Sequence, residues 1–127
     1  ISTKETPGLA MEFMWASKKT LSEKNDALVD VAKGYFKAID LINTNPDEAF
    51  AAAAPTFGIT KEEMASFKDG IIWPDLAYNK QLLQGLDEKS AASMFTYVGN
   101  ILRENNETNV TLKAKDHISD IIIKQLK

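Results

Sequence analysis

Between Asn25 and Thr44 apolar side chains return at every third or fourth position: Leu28, Val31, Ala32, Tyr35, Phe36, Ile39 and Ile42. That spacing gathers them on one stripe of a helix of about five and a half turns. Asp30, Lys33, Lys37 and Asp40 fall mostly off the stripe. Most of the stability of such a helix comes from burying its apolar face, so the rest of the chain must supply a surface for it. Asn25 or Asp26 is placed to cap its start, since a short polar side chain accepts from the free amides of the first turn. Gly34 lies mid-helix, where glycine costs up to about 1 kcal/mol relative to alanine. The expected reason for it is close packing against a neighbour. The helix should stop at Asn43-Thr44-Asn45, before Pro46.

Further elements follow from local signals. Pro46 suits the first position of a helix, where its missing N–H would be unpaired anyway. Asp47 and Glu48 then sit at the positive end of the helix dipole. This alanine-rich helix should run to Ala54 and end at Pro55, with Phe57-Gly58 closing the turn. Thr60 and Glu63 have capping-box spacing, which predicts a short helix to about Lys68. Asp69-Gly70 reads as a turn and Asp75–Leu83 as a loop with a helical turn. A second long helix should open at Asp87 or Ser90 and reach Asn105, with Ala91, Phe95, Val98 and Leu102 as its stripe. After a polar loop from Asn105 to Asn109, Asp116 should cap a C-terminal helix carrying Ile118, Ile121, Ile122 and Leu126.

Two segments read as strands. Leu9–Ser17 follows the Pro7-Gly8 turn and is too short and too aromatic for a helix. Ile71-Ile72-Trp73 is cut off by Pro74, which cannot donate to a ladder. The expected fold class is therefore α/β but helix-dominated, with about five helices and two short strands. Neither strand has a partner adjacent in sequence. Strands this apolar normally lie within a larger sheet, which hints at members encoded elsewhere.

Composition removes most chemistry. The 127 residues carry 15 Lys+Arg against 18 Asp+Glu, a net charge of −3 that argues against a nucleic-acid partner. With no cysteine and one histidine there is no thiolate nucleophile and no multi-histidine metal site. No cofactor motif is present, and no apolar run is long enough for membrane insertion. His117 lacks ligand partners at metal spacing. Glu62-Glu63 and Asp47-Glu48 are paired carboxylates in helix first turns, where the dipole explains them without acid–base chemistry. Asn106-Glu107-Thr108 and Asn109-Val110-Thr111 match the N-glycosylation sequon, a short and common motif. Trp15 and Trp73 are the candidate ligand-binding residues. Each sits at an expected strand end, where ligands of open α/β sheets collect, and an indole offers a stacking face and one donor. The chain opens Ile1-Ser2-Thr3 without an initiator Met, as a processed protein or a piece of a longer one would.

The order of these elements resembles a known family. An apolar segment ends in Ala16-Ser17-Lys18-Lys19. The long helix is centred on Tyr35-Phe36-Lys37-Ala38, followed by Asn45-Pro46-Asp47-Glu48-Ala49 and Phe57-Gly58-Ile59-Thr60-Lys61-Glu62-Glu63. Gly70-Ile71-Ile72-Trp73-Pro74 then leads into Asp75-Leu76-Ala77-Tyr78-Asn79-Lys80. From about residue 7 onward this is similar to the C-terminal portion of the periplasmic substrate-binding proteins of ABC importers, in the branch serving nitrate, sulfonates, taurine and thiamine-precursor pyrimidines. The resemblance implies part of a type II periplasmic-binding-protein lobe, within a single domain or fragment over 1–127. Residues 1–17 would hold the leading segment and a crossing strand, and 18–127 the helical remainder of the lobe. It implies a periplasmic or extracytoplasmic location, a small anionic or heterocyclic solute, and a membrane permease as partner of the complete protein. It implies no catalysis. The alternatives are a helical sensory or protein-interaction domain and, less well supported, a relative of pyrimidine-synthesis enzymes.

Overall fold

A computed structural model of the chain describes residues 11–68 and 70–127. Six α-helices appear in order among them: α1 Lys18–Glu23, α2 Asn25–Thr44, α3 Pro46–Phe57, α4 Lys61–Ser66, α5 Leu76–Gln84 and α6 Ala91–Glu104. Two single 3-10 turns, Ala114–Asp116 and Ile123–Gln125, follow. The chain divides into two compact units, Ile1–Asp75 and Leu76–Lys127.

In the first unit α1 packs on α2, α2 on α3 and α3 on α4. Helix α2 spans the expected twenty residues, but Lys24 stands at its N-cap, with no side-chain cap bond. Its buried residues are Val29, Ala32 and Ile39, while Val31 and Tyr35 are exposed. The buried stripe is thus rotated from the expected one. Apolar residues cover a wide arc of this helix, and contact with α3 selects which part is covered.

Helix α3 runs through Pro55 to Phe57 rather than stopping at Ala54. Proline in the last turn forfeits one hydrogen bond, and the helix ends where Gly58 takes a left-handed conformation, φ 66°. There the Gly58 N–H reaches the Pro55 carbonyl at 3.2 Å and the Ile59 N–H the Ala54 carbonyl at 3.3 Å. Helix α4 opens with the expected capping box: the Glu63 N–H donates to the Thr60 hydroxyl at 3.2 Å, and the Thr60 N–H to the Glu63 carboxylate at 2.8 Å. Phe50, Ala54 and Met64 form the buried cluster between these helices, with Ile42, Ala53, Ile59, Ala65 and Trp73 packed against it.

In the second unit α5 packs on α6 and on the Ile123–Gln125 turn, and α6 on the Ala114–Asp116 turn. Ser90, 1% exposed, caps α6 by accepting from the Ser93 N–H at 3.2 Å. Ile123 and Leu126 are buried, and the Lys80 ammonium donates to the Leu126 carbonyl at 3.2 Å.

The α/β expectation is corrected: the described residues are helix-dominated and contain no strand. Residues 11–17 and 72–75 are irregular, and Leu9 and Ala10 lie outside the described residues. A strand exists only through ladder bonds to a neighbour, and no neighbour is present among the described residues to make them. The expected C-terminal helix is also replaced by 3-10 turns. Four isoleucines within Ile118–Ile123 carry β-branching that a helix this short cannot absorb.

Candidate functional site

Both tryptophans proposed from sequence lie in the first unit, in very different surroundings. Trp15 stands in the irregular segment before α1 and is 90% exposed, preceded by the exposed Phe13 and Met14. Ser17 caps α1 two residues later, accepting from the Thr20 N–H at 3.0 Å, so the segment's direction is fixed at that end. The indole offers both faces to any partner and encloses nothing by itself.

Trp73 is half-buried. Its ring lies 6.4 Å from that of Phe50 at 57°, against the α3–α4 cluster. Its Nε1 is buried and has no hydrogen-bond partner among the described residues. An orphaned buried donor costs about 1–3 kcal/mol, a price the packing of the large ring offsets. With no strand under either residue, neither occupies a strand end.

The remaining candidates resolve into caps. Glu63 belongs to the capping box, and its carboxyl is held below the usual range, first by the Thr60 backbone N–H and then by the Thr60 hydroxyl. Glu48 accepts from the Asn45 side-chain amide at 2.7 Å, and Asp47 pairs with Lys61 at 3.2 Å, joining the starts of α3 and α4. In the second unit Asp120 is held below its ordinary value, chiefly by the hydrogen bond from Lys124, which lies 2.9 Å away. Partial burial pushes the Tyr35 phenol up. His117 is exposed and stacks on Phe95 with centroids 5.3 Å apart, an edge of packing rather than a ligand set. Among the described residues no group of His, Cys, Asp and Glu could hold a metal ion, and no helix is long and apolar enough to cross a membrane.

One polar arrangement escaped the reading of the sequence. Arg103 reaches from α6 to the Thr111 hydroxyl at 3.1 Å and to the Asn100 side-chain amide oxygen, Oδ1, at 3.3 Å. Asn100 also lines a shallow depression on α6 with Ala92, Ser93, Thr96, Tyr97 and Ala114. The spacing Thr96, Asn100, Arg103 is a helical polar face, which attention to the apolar stripe passed over. A second shallow depression lies at the α1–α2 junction, lined by Ser22, Glu23, Lys24, Asn25, Asp26 and Ala27. Neither depression includes a tryptophan.

Compared with protein-family models, curated proteins and solved structures, the chain matches none.

Proposed function

We propose that this chain is the C-terminal part of the solute-binding component of an ABC-type importer, which takes a small anionic or heterocyclic solute without chemistry on it. The reading is supported by the three sequence phrases Ala16-Ser17-Lys18-Lys19, Tyr35-Phe36-Lys37-Ala38 and Asp75–Lys80 in their order along the chain. One structural observation carries it. Apolar side chains next to the first and last of these phrases stand uncovered: Met14 59% and Trp15 90% exposed, Ile71 48% and Ile72 62%. In each pair two large apolar side chains adjacent in sequence face solvent, and the reading takes both pairs as surface for contact. In this reading further polypeptide of the same protein covers part of it, and the Trp15 indole supplies a stacking face to the solute. Trp73 serves packing, so its replacement disturbs the cluster as well as any contact. Trp15 is the cleaner probe.

The test is a thermal-shift screen of the protein made from the complete reading frame against nitrate, alkylsulfonates, taurine and aminopyrimidines. A ligand at a hundredfold its Kd stabilises the folded state by about 2.7 kcal/mol, a rise of several degrees in Tm. Trp15→Ala should weaken binding of the responding solute more than tenfold and leave the unliganded Tm unchanged. A panel without a single shift refutes the reading.

The all-helical content of the described residues favours a second reading, a helical sensory or interaction domain. A receptor or kinase architecture around this segment in the reading frame, with a silent solute panel, is the outcome that selects it.

A further inference from the structure

The loop after α6 carries two consecutive sequons, Asn106-Glu107-Thr108 and Asn109-Val110-Thr111, and the structure treats them differently. Asn106 ends the helix. It adopts φ 58°, the left-handed conformation in which asparagine is the commonest substitute for glycine. Its N–H bonds the Arg103 carbonyl at 3.1 Å, and the Glu107 N–H bonds the Leu102 carbonyl at 2.9 Å. These two bonds are a Schellman closure, so the backbone on both sides of Asn106 is committed to satisfying the last carbonyls of α6. Asn109 has no such duty. Residues 108–113 are irregular, Asn109 is exposed, and its side-chain amide makes no hydrogen bond among the described residues. The Thr111 hydroxyl accepts from the exposed Arg103 at 3.1 Å and donates to no acceptor among the described residues.

We propose that Asn109 is an acceptor for N-linked glycan and that Asn106, though it carries the same motif, is a helix cap. A transferase must bend the acceptor peptide into its own cleft and hold the hydroxyl two residues on. At Asn109 that bending breaks two exposed side-chain bonds, Arg103 to the Thr111 hydroxyl and the Val110 N–H to the Thr108 hydroxyl at 3.2 Å, whereas at Asn106 it undoes the end of α6. The donor is a polyprenyl-pyrophosphate oligosaccharide. Nδ2 of Asn109 attacks the sugar C1, the C1–O bond to pyrophosphate breaks with its electron pair leaving on the lipid pyrophosphate, and one amide proton passes to base. The physiological setting rests on the extracytoplasmic location proposed above. The acceptor itself is tested apart from it.

The purified, folded 127-residue chain and a synthetic peptide of residues 104–113 are each incubated with a bacterial transferase and its lipid-linked oligosaccharide, and sites are read by mass spectrometry. In the folded chain Asn109 should be modified at least tenfold faster than Asn106. In the peptide, where no helix end needs closing, the two should lie within about threefold. Asn109→Gln should slow modification of the folded chain at least tenfold, and Asn106→Gln should spare it. The proposal is overturned if the folded chain is unmodified while the peptide reacts, if neither reacts, or if Asn106 is modified as fast as Asn109 in the folded chain. A negative outcome here leaves the solute screen untouched.

Discussion

Replacing Gly34 with alanine tests the packing of α2 directly. The glycine lies mid-way along a twenty-residue helix, far from either frayed end. A Cβ built on it meets nothing within 4 Å among the described residues, and none of these makes the close contact expected from sequence. Nothing then opposes the propensity difference, about 0.8–1 kcal/mol in favour of alanine. Part of that gain comes from a less free unfolded chain. With about 2.1 cal/mol/K of unfolding entropy per residue, 0.9 kcal/mol raises Tm by about 3 °C if all 127 residues melt together. If the first unit, Ile1–Asp75, melts alone, the same gain raises its Tm by nearly 6 °C. Thermal and urea melts followed by far-UV circular dichroism measure it, with an unchanged urea slope as the sign that only stability moved. A fall in Tm would mean that something does approach that backbone, and the open face assigned to α2 would be wrong. Run on the complete protein, the same substitution reports whether more polypeptide covers this face.

Other perturbations bear on the caps and the chain end. Glu63 has a folded-state pKa below its ordinary 4.5, so its capping contribution is present above that pH and lost as pH falls through the folded value. Glu63→Gln should therefore lower Tm at neutral pH, and the gap to the parent chain should close as pH falls through the folded value; a gap independent of pH would refute the charged capping box. Leu126 is 6% exposed and Ile121 44%. Leu126→Ala should cost about 2–4 kcal/mol in denaturant melts and Ile121→Ala less than about 1, whereas an amphipathic C-terminal helix with Ile121 inward predicts comparable losses.

Much of the secondary structure is written locally. The span of α2, the proline start of α3 and the capping box of α4 each depend on residues within one or two turns of each other, so the sequence states them outright, and for α6 it offers Asp87 or Ser90, of which Ser90 is the cap. The candidate site was less legible. Two tryptophans alike in sequence context became one indole that is 90% exposed and another wedged against Phe50, because burial depends on segments distant in the chain. The same holds for the two sequons, identical as motifs and separated only by which one closes a helix.

Helix propensity, caps and turns are local properties, and the sequence alone determined them here, along with the exclusion of thiolate and multi-histidine chemistry. Tertiary structure decided which part of the broad apolar arc of α2 is covered, how far α3 continues past Pro55, and that Ile123 and Leu126 rather than a full helical stripe anchor the end of the chain. It also decided that neither apolar segment read as a strand becomes one among the described residues. A helix closes its hydrogen bonds within itself, whereas a strand must find them in a neighbour, and a neighbour is a property of the whole fold.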